Sequence, residues 1–173
     1  MGRCGLKCPT APEVAFLMLF LGEYEHTLDQ KQRLAIPSEL REVLDTKQHG
    51  EAFIVAPGAN GQLWLWPEKT FAQLSHSLGG SLIGDPSVQD FERLVFSQAA
   101  RVPLDSAGRI RIPDRLLQKF GLAGSIMILG VRDHLELTEP AAWKREQERL
   151  QPEAADIWRR ARQTFAASQR PTV

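Results

Sequence analysis

One phrase is written twice in this chain, and that repetition limits the fold more than any other feature. Leu28-Asp29-Gln30-Lys31-Gln32-Arg33-Leu34-Ala35-Ile36-Pro37 recurs as Leu104-Asp105-Ser106-Ala107-Gly108-Arg109-Ile110-Arg111-Ile112-Pro113. Leu, Asp, Arg, Ile and Pro match at a constant spacing, and Leu34 against Ile110 is a conservative exchange. Just beyond, Ser38 and Asp114 are both helix N-cap types, and Leu40 and Leu116 both suit a buried helical face. A second block, Leu63-Trp64-Leu65-Trp66 then Phe71, resembles Leu135-Glu136-Leu137-Thr138 then Trp143 at a slightly shorter spacing. Two matching blocks in the same order make this a chain of two related halves.

Each half carries the same series of signals. A short strand (23–28; 101–104) enters a polar turn headed by Asp, and a second strand follows (33–36; 109–112). Proline ends that strand, and a capped helix begins, over 38–46 and 114–120, the latter stopped by Gly121. Strands at 52–56 and 62–66 flank the turn-rich 57–61, and strands at 125–129 and 134–137 flank 130–133. A helix closes each half, over 67–78 and 139–151. Between the halves, Asp85 caps a connecting helix with Pro86 at its first position, and Val88, Phe91, Val95 and Ala99 share one face. After Pro152 a last helix aligns Ile157, Ala161 and Phe165 beside Trp158, and the tail from Gln169 reads as disordered. Residues 1–17 read as an upstream extension with Met18 as the natural start. The apolar run 14–21 imitates a signal peptide, but Pro9, Pro12 and Glu13 interrupt its approach, and eight residues fall well short of the roughly 20 needed to span a bilayer.

Neither half has enough strand to bury a sheet of its own. The expected fold is mixed α+β: two tandem units, 18–80 and 101–151, joined by 81–100 and followed by 152–173, closing around a pseudo-two-fold axis into a small β-barrel with flanking helices. Both Asp-x-x-x-Arg loops then fall on one face.

The doubled Leu-Asp-x-x-x-Arg-x-x-Ile-Pro segment, the lead-in Gly22-Glu23-Tyr24-Glu25-His26 and the Trp- or Phe-bearing helices after each strand pair closely resemble the MraZ family over about 18–150. The resemblance implies two SpoVT-AbrB-like swapped-hairpin units. It also implies a cytoplasmic, nucleoid-associated ring of several subunits. Such a ring would bind direct repeats in the double-stranded promoter DNA of the division and cell-wall gene cluster and usually repress it. It places Arg33 and Arg109 at the DNA-contacting positions. One departure is visible. The family has Gly just before the motif Arg, which Gly108 satisfies and Gln32 does not. If that position needs a positive φ, Gln32 strains the turn by about 1 kcal/mol or changes its type.

The residues support that reading independently. Asp at the head of a turn accepts backbone N–H groups two or three residues on, so Asp29 and Asp105 structure their loops. An exposed Asp–Arg pair contributes little stability, whereas a planar guanidinium with five donors suits phosphate or the O6/N7 edge of guanine. Alternation along the strand puts Arg111 beside Arg109 and opposite Ile110 and Ile112. Lys31, Arg111 and Arg115 are therefore candidate phosphate contacts. Arg101 and Lys119 make the second half locally cationic.

Other chemistry has less behind it. Cys4 and Cys8 make half a zinc site at most, and no cofactor or metal is expected. His26, His49, His76 and His134 are scattered, and the neighbours Asp133 and His134 should point to opposite sides of a strand. No nucleophile elbow, phosphate loop or paired acid and base appears, so neither an enzyme nor a small-molecule substrate is expected. Trp64, Trp66, Phe71 and Trp143 read as core or subunit contacts.

Two functions follow. The first is a sequence-specific DNA-binding regulator. The second is a protein-interaction or assembly module of the same barrel class, using 153–173 as an arm. The chain carries 21 Lys and Arg against 21 Asp and Glu. Zero net charge predicts poor non-specific DNA binding by one subunit, with affinity gained when several subunits meet repeated sites.

Overall fold

The computed structural model describes residues 19–78 and 86–168. The extension 1–17, the Met18 start, the Asp85 cap and the tail from Gln169 lie outside the described residues. The first half contributes β1 (Glu23–Thr27), β2 (Arg33–Ala35), α1 (Ser38–Glu42), α2 (Thr46–His49), β3 (Ala52–Pro57), β4 (Leu63–Pro67) and α3 (Glu68–Ser77). The connecting helix is α4 (Pro86–Phe96). The second half is β5 (Ala100–Pro103), β6 (Arg109–Arg111), α5 (Asp114–Lys119), β7 (Ser125–Val131), β8 (His134–Thr138) and α6 (Pro140–Ser168).

The sheet order is a palindrome of the repeat. Six antiparallel strands run β1-β7-β8-β4-β3-β5, and β2 pairs with β6 as a separate ribbon. Exchanging each strand for its counterpart in the other half reverses the list without altering it. The first strand of each half therefore pairs with the third strand of the other, β1 with β7 and β5 with β3. At the centre, β4 meets β8 with Trp64 opposite Glu136, flanked by Leu63 opposite Leu137 and Leu65 opposite Leu135. The core is doubled in the same way. Leu34 and Ile110, Ile36 and Ile112, Leu40 and Leu116, and Phe53 and Ile126 are all buried in one cluster. Neither half could have sequestered these side chains alone, so the halves fold as one body.

The expected closed barrel is not found. Strands β1 and β5 are the two edges of the six-stranded sheet. Each runs into its Asp loop, and the chain then forms the β2·β6 ribbon, so the edges are linked through this ribbon and not by hydrogen bonds to each other. A three-residue ribbon is marginal by itself. Leu34 and Ile110, fully buried, anchor it at about 1.5–3 kcal/mol each.

Local chemistry shifts three boundaries. Ser38 and Asp114 are first helical residues, not caps. Pro37 (φ −48°, ψ 142°) and Pro113 (φ −59°, ψ 134°) take the extended cap position, where the missing N–H costs nothing. The helix expected over 38–46 splits, because the Asp45 side chain accepts Lys47 N–H at 2.8 Å and starts α2 afresh. Pro152 does not divide the C-terminal helix, and α6 continues through it for 29 residues. Gly121 terminates α5 as expected, at φ +63°, with Leu122 N–H bonded to the Leu117 carbonyl at 2.9 Å. No helix among the described residues is long and apolar enough to cross a membrane.

Candidate nucleic-acid interface

The antiparallel β2·β6 register sets Arg33 opposite Arg111, Leu34 opposite Ile110 and Ala35 opposite Arg109. Directly opposed residues share a face. Leu34 and Ile110 are buried, so the other face carries Arg33, Arg109 and Arg111 together. Because the ribbon is only three residues long, the Asp loops at its two ends remain close. Arg33 Nη1 lies 3.9 Å from Asp105 Oδ2, across the repeat boundary.

Both loops are built by the same hydrogen bonds. Asp29 Oδ1 accepts Lys31 N–H at 2.8 Å and Arg33 N–H at 2.9 Å, and Asp105 Oδ1 accepts Ala107 and Arg109 N–H at 2.9 Å each. The second carboxylate oxygen holds the guanidinium. Asp29 Oδ2 accepts Arg33 Nε and Nη2, both at 2.7 Å; Asp105 Oδ2 accepts Arg109 Nε at 3.0 Å and Nη2 at 2.9 Å. The side-chain hydrogen bond from Arg33, followed by its backbone N–H, brings the Asp29 pKa down to about 2. Asp105 is also lowered, with the Arg109 backbone N–H as the leading cause and its side chain second. Each arginine is thus fixed through its Nε–Nη2 edge, which leaves its Nη1 group outside that pair.

The loops differ where the repeat differs. Gly108 has φ +74° and is buried, and a Cβ built on it would stand 2.6 Å from the Arg41 guanidinium. Arg41 spans this gap and donates from Nε to the Ile36 carbonyl at 3.0 Å. Gln32 also takes the left-handed conformation, φ +58°, and keeps the hydrogen bond from its N–H to the Asp29 carbonyl, at 2.9 Å. The turn type is therefore retained and the strain accepted. The Gln32 amide lies against the Asp114 carboxylate, to which its nitrogen donates when turned toward the acid.

The remaining candidate cations sit around this face. Lys31 is exposed at the first loop, where the second has Ala107. Arg111 is exposed and only loosely paired with Asp114, at 3.8 Å. Arg115 is exposed and makes a long bond, 3.5 Å, to the Ala99 carbonyl. Lys119 donates to the Gln98 side chain. Arg101 is committed elsewhere, with Nε 2.7 Å from Glu68 Oε2. That pairing joins residues from the two halves, and local charge counting could not find it. The cross-loop approach of Arg33 to Asp105 was hidden for the same reason.

The histidine expectation needs one correction. Asp133 and His134 do not diverge; Asp133 Oδ1 lies 2.9 Å from His134 Nδ1. Asp133 belongs to a tight turn in which Arg132 has φ +62°, so strand alternation does not apply to the pair. His134 is buried and stacks on Trp66 at 4.3 Å. Burial disfavours its cation, but the carboxylates of Glu136, 3.5 Å from Nε2, and of Asp133 outweigh that and raise its pKa. Among the described residues no group of three His, Cys, Asp or Glu side chains could hold a metal ion.

Comparison with known proteins bears on the repeat and on the family. The model of the family described as "MraZ protein, putative antitoxin-like" matches residues 19–85 and again 95–164. A protein of Roseiflexus sp. (strain RS-1) named Transcriptional regulator MraZ is 35% identical over 126 residues, 73% of this chain and 85% of its own length. Proteins of the same name from Thermomicrobium roseum and Heliobacterium modesticaldum are 32% identical over 142 residues and 30% over 139. They span 82% and 80% of this chain and 96% and 94% of their own lengths.

Proposed function

Since the chain belongs to the MraZ family, we propose that it is a DNA-binding transcriptional regulator that reads duplex DNA with the outer face of the β2·β6 ribbon. One observation carries this: the register collects Arg33, Arg109 and Arg111 from both halves on a single exposed face. The Asp–Arg pairs serve the same end. An unrestrained arginine loses much side-chain entropy on binding. Here Asp29 and Asp105 hold Arg33 and Arg109 in one orientation beforehand, each leaving Nη1 outside its own pair; the Arg33 Nη1 stands 3.9 Å from Asp105 Oδ2 and exchanges that loose contact for a base edge or a phosphate oxygen. Arg33 and Arg109 make the base contacts, and Lys31, Arg111 and Arg115 position the phosphates. Asp29, Asp105 and Gly108 shape the loops.

One subunit presents too small a surface for tight binding. In this reading units 18–80 and 101–151 form one reader, several subunits join in a ring, and the ring binds tandem direct repeats in its own promoter, repressing a division and cell-wall gene cluster from a nucleoid-associated position in the cytoplasm. The direct test is binding to a duplex from the region upstream of the gene. Arg33→Ala with Arg109→Ala should weaken binding at least about 100-fold and flatten the salt dependence. Unchanged affinity with an unchanged salt slope would rule the mechanism out. A second reading, action on a protein partner, draws on the antitoxin-like description of the family and on the exposed far half of α6. Deleting 153–173 would then abolish partner binding and leave DNA binding intact.

A further inference from the structure

We propose that His134 is a proton-sensitive clamp between the two halves. As the imidazolium it ties Trp64 and Trp66 of the first half to Asp133 and Glu136 of the second, and losing its proton releases the tie. The clamp does not depend on how the chain binds DNA. Strands β4 and β8 are the central pair of the six-stranded sheet, one from each half. Leu63, Leu65, Leu135 and Leu137 belong to the core cluster, so alternation turns Trp64, Trp66, His134 and Glu136 to the opposite face. There His134 is only 8% exposed. Its ring lies 4.3 Å from Trp66, at 19° to it, and 4.6 Å from Trp64.

Both ring nitrogens face acids. Nδ1 is 2.9 Å from Asp133 Oδ1, and Nε2 is 3.5 Å from Glu136 Oε1, close enough for an ion pair and long for a hydrogen bond. A neutral imidazole carries a hydrogen on one nitrogen only, so either tautomer turns a lone pair toward a carboxylate. The imidazolium has an N–H for each. It also sets a positive ring against two indoles, well inside the roughly 6 Å over which a cation and an indole attract. Burial alone favours the neutral form, yet the two carboxylates raise the pKa. Nothing nearby replaces this cation for Glu136. Arg132, in the adjoining turn, is 3.2 Å from Asp133 Oδ2, and β4 brings no charged side chain. Glu136 lines a cavity of about 510 Å³ with Trp64, Trp143, Glu23 of β1 and Glu146 of α6, and no Lys, Arg or His is among the described residues lining it. Glu23 accepts N–H groups of Trp143 and Gln147, and Glu146 pairs with Arg149 on its own helix. Once His134 is neutral, Glu136 faces like charges across that cavity and both indoles lose their cation. The link between the halves is then weakened on this face.

The experiment follows tryptophan emission and the urea midpoint of the full chain between about pH 5 and 9. A folded value above the ordinary 6.5 means that the clamp's contribution to stability is complete below 6.5 and is lost as pH rises through the folded value. A protonated imidazole quenches an indole that it touches. Wild-type emission should therefore rise in one step with a midpoint above 6.5, and the urea midpoint should fall across the same step. His134→Gln should remove both changes, although His26, His49 and His76 remain. Asp133→Asn and Glu136→Gln keep the imidazole at half-buried positions, and each should bring the emission midpoint down by about one pH unit. A step that survives His134→Gln belongs to another histidine and overturns the clamp. A midpoint that stays in place in both carboxylate variants overturns it too, as does wild-type emission without a step. Should His134→Gln fail to fold, the two carboxylate variants decide between these outcomes by themselves.

Discussion

The two Asp-x-x-x-Arg loops share their hydrogen bonds and differ in almost everything that surrounds them. At the second loop, glycine supplies the left-handed residue, and the space it leaves is occupied by Arg41 from the other half. At the first loop, glutamine is forced into the same conformation, and its own amide reaches Asp114, again from the other half. Arg41 corresponds in the repeat to Leu117, so the pseudo-symmetry is followed by the backbone and abandoned by the side chains. A duplicated loop can therefore preserve its geometry through unlike means, and the two copies can diverge as readers. Lys31 against Ala107 is such a divergence, adding a cation to one loop only.

The largest effect expected on this comparison comes from Gly108→Ala. The methyl group imposes the left-handed cost and meets the Arg41 guanidinium at 2.6 Å, so Arg41 must give up its bond to the Ile36 carbonyl. A loss of about 2 kcal/mol in urea unfolding is expected. In an Arg41→Ala background the same change should cost only about 1 kcal/mol, the conformational part. Equal costs in the two backgrounds would show that Arg41 and Gly108 are not coupled.

The reverse exchange is smaller. Gln32→Gly removes the strain at φ +58° but adds freedom to the unfolded chain and gives up the contact with Asp114. The net gain should be about 0.5 kcal/mol, read as a raised midpoint in the same titration. A destabilised variant would mean that the amide contact outweighs the strain, and that Gln32 is a working substitute for glycine.

How much of this was legible beforehand depends on the range of the interactions. The repeat alone located both loops, both Asp caps on the turns and the shared face of Arg109 and Arg111, because these arise within a few residues of chain. It gave the two-fold relation but not its consequence. Nothing in a one-dimensional repeat says that β1 pairs with β7 across the boundary, or that the sheet ends on β1 and β5 without closing. Prolines 37 and 113 were legible as strand ends, but the cap was placed one position late, on Ser38 and Asp114, since a cap-type side chain beside a proline gives the stronger local signal. Pro152 was over-read as a boundary, because a proline removes one backbone hydrogen bond and can kink a helix without ending it. Glu68, which takes Arg101 out of the cationic patch, had no local signal of any kind.

The finest difference between the loops is electrostatic. Both carboxylates ionise more easily folded than unfolded, so their contribution to stability is present above the ordinary Asp value of 3.8 and is lost as pH falls through the folded value. For Asp29 that window runs from 3.8 down to about 2. At pH 3 its carboxyl carbon should still report the ionised form by NMR. The causes then separate the loops. Asp29 is lowered first by the Arg33 side chain, whereas Asp105 is lowered first by the Arg109 backbone N–H, which no side-chain substitution removes. Arg33→Gln should therefore raise the Asp29 pKa from about 2 while its backbone N–H bonds keep it below 3.8, and Arg109→Gln should move Asp105 less. If both aspartates responded alike, the first guanidinium would be held no more firmly by its carboxylate than the second. The orienting role given to Asp29 would then have to be shared equally by the backbone of its loop.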